Sequence, residues 1–168
     1  MQRRWEVLSQ TLLGETGKYH TPRLTPRLLS KRYYARRAVI RETAPGMPHS
    51  VIQAYTALWP TDRKRKWYEL GTVWVGEPLR GNGLRDELMA QAMALVPEET
   101  SFFLFTSSEA IMRSAGSLGF ITATTHSYPD LLMWASDLGV VQRLPGSIHN
   151  RCDVPESGKR TLFILGSG

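Results

Sequence analysis

One cysteine, Cys152, stands among the 168 residues, so no disulfide within the chain can staple the fold. Stability has to come from a buried core, and a reducing compartment, the cytoplasm, is the expected setting. Long hydrophobic runs are missing as well: Ser101 to Phe105 is typical of the longest, far short of the roughly 20 residues a bilayer span needs. No membrane partner is expected. The opening Met1, Gln2, Arg3, Arg4, Trp5, Glu6 leads into no apolar stretch of signal-peptide length before Gly14 and Glu15, so secretion is not indicated. His20, His49, His126 and His149 share no ligand spacing with one another or with Cys152, and no metal site is expected. Gly14, Glu15, Thr16, Gly17, Lys18 lacks the Gly-x4-Gly-Lys-Ser/Thr spacing of a nucleotide loop and reads as a turn. Repeats and low-complexity tracts are absent. Acidic residues, too, are missing between Thr21 and Arg41, where Arg23, Arg27, Lys31, Arg32, Arg36, Arg37 and Arg41 gather.

What is present is a globular balance of 42% hydrophobic and 21% charged residues, with a length that suits one domain over residues 1–168. The net charge of +6, from 21 Lys and Arg against 15 Asp and Glu, favours anionic partners. A solvated helix surface accounts for the basic run from Arg23 to Arg41, with an anion-binding face as the alternative. Tyr33 and Tyr34 beside Arg36 and Arg37 could stack on bases, although aromatic residues on an amphipathic helix usually face the core.

Trp5, Leu8, Leu12 and Leu13 recur at helical spacing and predict a first helix that breaks at Gly14; a second runs from Arg27 to Arg36. Ala38 to Ile40 starts a strand, Ala44 to His49 turns, and Val51 to Trp59 is rich in β-formers. The polar Asp62 to Lys66 then joins it to Trp67 to Val75 as a hairpin. Arg63 to Lys66 is either a solvated tip or a phosphate clamp. Ser101 to Phe105 is unbroken and apolar, the mark of a central strand covered on both faces. Thr106 and Glu109 have capping-box spacing ahead of a helix through Ile111, Met112, Ala115 and Leu118 that stops at Gly119. Phe120 to Thr125 resumes as strand, Tyr128 to Leu138 reads as helix, and Arg160 to Leu165 as a closing strand.

Between the hairpin and the central strand stand Arg80, Gly81, Asn82 and Gly83, followed by a stripe of Leu84, Leu88, Ala92 and Leu95 and a stop at Pro97. Strand, glycine turn and helix in that order form an anion site, because the first helical N–H groups lack internal partners and the helix dipole is positive there. Gly81 and Gly83 let the backbone approach a ligand at positive φ, and Arg80 adds a charge for phosphate oxygens. A plain tight turn has the same residues.

The stretch Glu69 to Leu84, with Val75 ahead of Arg80 and Gly83, resembles the pattern of the GNAT acetyltransferases, in which a strand ending in Val precedes Arg/Gln-x-x-Gly-x-Gly/Ala. Downstream, Leu118, Gly119, Phe120 is similar to that family's Leu-Gly-Phe. The resemblance covers about Val51 to Thr125. It departs at Arg85, where the pattern has a small residue, at Ala115, where a Tyr often stands, and at Ser107 or Ser108, where an Asn is frequent.

The resemblance implies an α/β (α+β) fold with a central mixed, mostly antiparallel sheet flanked by helices, and acetyl-CoA as cosubstrate. In it Trp74 and Val75 would offer backbone to the pantetheine arm, Gly81, Asn82, Gly83, Leu84 and Arg85 would hold the diphosphate with Arg80, and Ser108, at the second helix start, would contact the cofactor. Glu69 would serve as general base for an amine acceptor, on the count that Glu69, Val73 and Val75 share a face, with a cross-strand partner for a Lys or Arg of the hairpin as its alternative. Ser114 or Tyr128 would donate a proton, each with a purely structural role as its alternative. The acceptor is a small-molecule or peptide amine, a nucleic-acid-linked amine being a further option, and a homodimer is left open. The competing readings are a basic nucleic-acid-binding module and a CoA-binding protein of this fold without turnover.

Overall fold

The computed structural model describes residues 3–16, 24–60, 67–123, 153–154, 158–159 and 161–166. In chain order the elements are helix α1 (Arg3–Thr16), α2 (Pro26–Tyr34), strands β1 (Ala38–Glu42), β2 (Ile52–Pro60) and β3 (Trp67–Val75), a 3-10 turn (Glu77–Leu79) and α3 (Leu84–Met93). Then come β4 (Ser101–Thr106), α4 (Glu109–Ser117), β5 (Ile121–Ala123), β6 (Asp153–Val154), β7 (Gly158–Lys159) and β8 (Thr161–Leu165). Six strands hydrogen-bond in the order β1-β2-β3-β4-β8-β5, and β6 with β7 forms a separate ribbon. The described pairings are antiparallel except for β3 with β4, which gives the mixed, mostly antiparallel sheet expected. The expected helix from Tyr128 to Leu138, the loop Arg63 to Lys66, Arg23, Cys152, His20, His126 and His149 lie outside the described residues. No described helix is long and apolar enough to cross a membrane.

The chain divides into two compact units, the first comprising Met1–Trp59 with Leu70–Val96. Within it, Trp5, Leu8 and Leu12 are buried at one face of α1, as their i, i+3, i+7 spacing requires. The helix continues through Gly14 to Thr16 instead of breaking there. A glycine near an exposed helix end costs about 1 kcal/mol, and Glu15, one residue on, is held by two side chains from elsewhere in the unit. Thr25 caps α2 by accepting from the Leu28 N–H, with Pro26 in the first turn. At its other end Arg36 takes φ +52°. The Arg37 N–H returns to the Arg32 carbonyl at 2.8 Å and the Arg36 N–H to Tyr33 at 2.9 Å, a Schellman closure with arginine where glycine is usual.

β1 pairs with β2 from Ala38 against Ala57 to Glu42 against Ile52. β2 is buried from Ala54 to Trp59 on both faces, so its side-chain alternation vanishes from the sequence. The Tyr55 phenol donates to the Leu29 carbonyl at 3.3 Å, and burial pushes its pKa far above the ordinary value. Trp5 packs against Tyr33 and Tyr55 at centroid distances of 5.6 and 6.4 Å, which sets the half-buried Tyr33 against a buried ring.

The basic run separates into two sets. Arg32 lies 4.7 Å over the Trp59 ring, Arg37 donates to the Leu95 carbonyl, and Arg41 is ion-paired with Glu87. Arg27, Lys31 and Arg36 are at least partly exposed. Three of the cations are thus part of the unit's own packing, and the remaining described ones are solvated.

The second unit comprises Pro60–Glu69 with Pro97–Gly168. Here Trp67, Tyr68 and Glu69 run parallel to Ser101, Phe102 and Phe103, and β8 lies antiparallel between β4 and β5. Phe102, Phe103 and Leu104 are buried, as a central strand requires. The capping box does not form: Ser108, not Thr106, occupies the N-cap of α4. Thr106 ends β4 and its hydroxyl accepts from the Ser108 N–H at 3.0 Å, closing the turn before the helix begins. α4 ends in a Schellman motif, with the Phe120 N–H to the Ala115 carbonyl at 3.0 Å and the Gly119 N–H to Gly116 at 3.1 Å. Gly119 has φ +84°, so Leu118, Gly119, Phe120 is first of all a helix stop.

Candidate cofactor site

Strand β3 ends at Val75, and the next residue has no room for a side chain. A Cβ on Gly76 would lie 2.9 Å from the Gln53 carbonyl oxygen. The Gly76 N–H donates to that same oxygen at 2.8 Å, so the end of β3 is fastened to β2. The 3-10 turn Glu77–Leu79, too short for any periodic signal in the sequence, then carries the chain to Arg80 through Leu79 N–H to Gly76 and Arg80 N–H to Glu77 bonds. Pro78 inside that turn fits its fixed φ.

Gly81 and Gly83 take φ +89° and +76°, a region that side chains disfavour by roughly 1–2 kcal/mol. α3 starts at Leu84, its first bond running from the Glu87 N–H to the Gly83 carbonyl at 3.2 Å. Gly83 is the N-cap and makes no side-chain cap bond; a helix start of this kind suits an anion. Among the described residues nothing stands within 4 Å of where a Cβ on Gly81 or Gly83 would be. Arg85 is half-buried. Beneath the turn, Leu79 and Leu84 pack on the buried cluster of Ala54, Val75 and Leu88. With its amide in the orientation that satisfies hydrogen bonding, Asn82 donates to the carbonyls of Arg80 at 2.9 Å and Leu79 at 2.6 Å. The chain on the entry side of the turn is thereby clamped.

Arg80 is held by the chain itself. Its Nε donates to the Val75 carbonyl at 2.9 Å, and its Nη2 to Glu15 Oε2 at 3.0 Å. The Trp74 indole N–H reaches the same Glu15 oxygen at 3.0 Å. Of the backbone groups expected to meet a pantetheine arm, the Val75 carbonyl is therefore engaged by the chain itself. No local signal in the sequence singles out Glu15, because 59 and 65 residues separate it from Trp74 and Arg80.

Charge at the helix start is also managed. Asp86 and Glu87 lie in the first turn of α3, where they suit the dipole yet oppose an incoming anion. Glu87 is ion-paired with Arg41 and accepts from Gln91 Nε2 at 2.9 Å.

Trp74, Val75 and the run Arg80, Gly81, Asn82, Gly83, Leu84, Arg85 thus come together in the first unit. Glu69, Ser108 and Ser114 belong to the second, and Tyr128 lies outside the described residues. Glu69 is a buried carboxyl on β3, with 4% exposure. The alternation that would set it on one face with Val73 and Val75 does not carry through, because Thr72 between them has φ +56° and a left-handed residue interrupts strand alternation. Ser114 is buried, and its hydroxyl donates to the Ala110 carbonyl at 3.1 Å. Ala115, in the place of the frequent Tyr, is buried and brings no proton. Among the described residues no cluster of His, Cys, Asp and Glu could hold a metal ion.

No family model and no curated protein matches the sequence. Solved structures do. An acetyltransferase of the GNAT family from Streptococcus pneumoniae superposes with a TM-score of 0.59 at 13% identity, covering 99% of this chain and 95% of its own. The diaminobutyrate acetyltransferase of Paenibacillus lautus, in complex with L-2,4-diaminobutyric acid and coenzyme A, gives 0.61 at 15% identity over 99% and 90%. The yncA protein of Salmonella typhimurium with its cofactor acetyl-CoA gives 0.59 at 14% over 98% and 86%. At these identities the likeness concerns architecture, and with the strand, glycine turn and helix described above it leads to one statement: this chain has the fold of the GNAT acetyltransferases.

Proposed function

We propose that the protein is an acetyl-CoA-dependent N-acetyltransferase that passes the acetyl group directly to an amine. The observation that carries the reading is the left-handed glycine turn Gly81 to Gly83, with nothing within 4 Å of a Cβ on either glycine, leading from the anchored end of β3 into the start of α3. Backbone N–H groups of the Gly81 to Arg85 segment would hold the diphosphate, and the Trp74 to Val75 strand end would guide the pantetheine arm. Ser108, at the N-cap of α4, stays a candidate cofactor contact on the resemblance alone. The coenzyme would supply an acetyl thioester, whose sulfur leaves readily, a simple thiol having a pKa near ~8.5.

The amine has to be neutral to attack. Glu69 is the proposed base, on the resemblance and as a buried carboxyl. A backbone N–H near Val75 would stabilise negative charge on the acetyl oxygen. Ser114 and Tyr128 are the remaining proton-donor candidates; Ser114 would have to release the Ala110 carbonyl to act. A modest thiolate pKa makes turnover feasible without a dedicated acid.

The acceptor proposed is a small-molecule or peptide amine, which is consistent with a fold neighbour that binds L-2,4-diaminobutyric acid. The deciding measurement is calorimetric titration of acetyl-CoA into the wild-type protein and into Gly83→Trp, whose side chain would fill the turn. Binding by the first and not the second is expected. A wild-type protein that does not bind would remove the proposal; binding without acetyl transfer to any amine in a broad screen would leave a CoA-binding protein of this fold.

A further inference from the structure

Helix α1 ends in a way its own residues do not favour. Its last turn carries Glu15 and no basic residue, although a carboxylate near a helix C-terminus meets the negative end of the dipole. Gly14 precedes it, a poor helix former. Local preference therefore opposes a carboxylate here, and where local rules are broken the reason is sought in tertiary contacts. Those contacts converge on the coenzyme turn: Glu15 Oε2 accepts from Arg80 Nη2 and from Trp74 Nε1, both at 3.0 Å. Arg80 in turn bridges to the Val75 carbonyl. One carboxylate oxygen thus ties together the end of α1, the end of β3 and the first residue of the turn.

We propose that Glu15 is a positioning residue for the coenzyme turn, acting through Arg80. The proposal rests on acetyl-CoA being the ligand of that turn. Its physical basis is the conformational freedom of the glycine segment beyond Arg80. Gly81 and Gly83 are exposed and left-handed, and glycine loses more conformational freedom on ordering than any other residue. With Arg80 held on one side by Glu15 and the Asn82 amide fixed to the Leu79 and Arg80 carbonyls, the segment left to be ordered by a ligand is short. Without the carboxylate, the guanidinium keeps the Val75 carbonyl alone, and part of the binding free energy goes into ordering the turn.

Two effects compete when Glu15 is removed. Loss of positioning weakens binding, while loss of a negative charge, and release of Arg80 toward the phosphates, would strengthen it. The Glu15 and Arg80 side chains are 42% and 46% exposed, so the charge effect acts largely through water and is screened. Positioning is not screened and should prevail.

The test is a double-mutant cycle on acetyl-CoA binding, read by calorimetry with wild type, Glu15→Ala, Arg80→Ala and the double variant, with Glu15→Gln as the conservative substitution. Expected are an affinity about 5-fold lower for Glu15→Ala, partial recovery in Glu15→Gln, and a double variant no weaker than Arg80→Ala, since both act through one link. The loss should persist at about 1 M salt, where the Debye length is only about 3 Å, and the melting temperature of Glu15→Ala should stay within a few degrees of wild type. Unchanged or tighter binding by Glu15→Ala overturns the proposal, as do losses that multiply in the double variant or an affinity loss matched by a large fall in melting temperature. Failure of the wild type to bind is a separate result, and removes the assignment of acetyl-CoA itself.

Discussion

Arg41 of β1 neutralises Glu87 in the first turn of α3, across 46 residues of sequence. The pair places a cation from the basic run beside a carboxylate that would otherwise face an anion arriving at the helix start. Arg41→Gln should therefore lower acetyl-CoA affinity about 2- to 5-fold at low salt, and Glu87→Gln in the same chain should restore it. Titrations at low salt and at about 1 M, where the difference should vanish, check this.

Gly76 allows no substitution without moving backbone. Gly76→Ala sets a methyl group 2.9 Å from the Gln53 carbonyl, and the strand end must shift to relieve it. A loss of about 1–3 kcal/mol is expected, measured by urea unfolding, together with weaker acetyl-CoA binding because Val75 moves with its neighbour.

At the end of α2, glycine should improve on the native residue. Arg36 is exposed and left-handed, and the backbone bonds that close the helix there do not need the side chain. Arg36→Gly should stabilise the protein by about 0.5–1 kcal/mol, a rise of roughly 2 °C in melting temperature for a chain of this size. A lower melting temperature would show that the arginine side chain contributes more than the strain costs.

For the base, Glu69→Gln should reduce acetyl transfer and flatten the alkaline-rising limb of the pH–rate profile, because the carboxylate that accepts the amine proton is gone. Acetyl-CoA affinity should change little, since a carboxyl serving only as base has no part in holding the coenzyme. An unaltered profile would falsify the assignment.

Much of the architecture is legible in local chemistry. The apolar run at β4, the glycine turn before α3 and the stop at Gly119 each depend on residues adjacent in sequence, and each stands where periodicity and turn rules put it. Local rules fail where distant contacts override them. Gly14 does not end α1, because Glu15 is held by Trp74 and Arg80. Thr106 does not cap α4, because it completes β4 against β8. Thr72 has no residue-level signal for a left-handed backbone other than Gly71 before it, yet it undoes the face count that tied Glu69 to Val75. For the candidate site, the glycine turn ahead of α3 is legible and the side-chain wiring around it is not. The bond from Arg80 to Glu15 joins residues 65 apart, and no local rule points to it.

Asn82 gives the turn a chemical vulnerability. Its amide nitrogen donates to two carbonyls, and the residue after it is Gly83, the neighbour that least obstructs attack of a backbone nitrogen on an asparagine side chain. Deamidation there would exchange a double donor for a carboxylate, which cannot donate at all. A single such event would unclamp the corner and set a fixed negative charge in front of a helix start suited to anions, so old or heated preparations should lose coenzyme binding before they lose the fold.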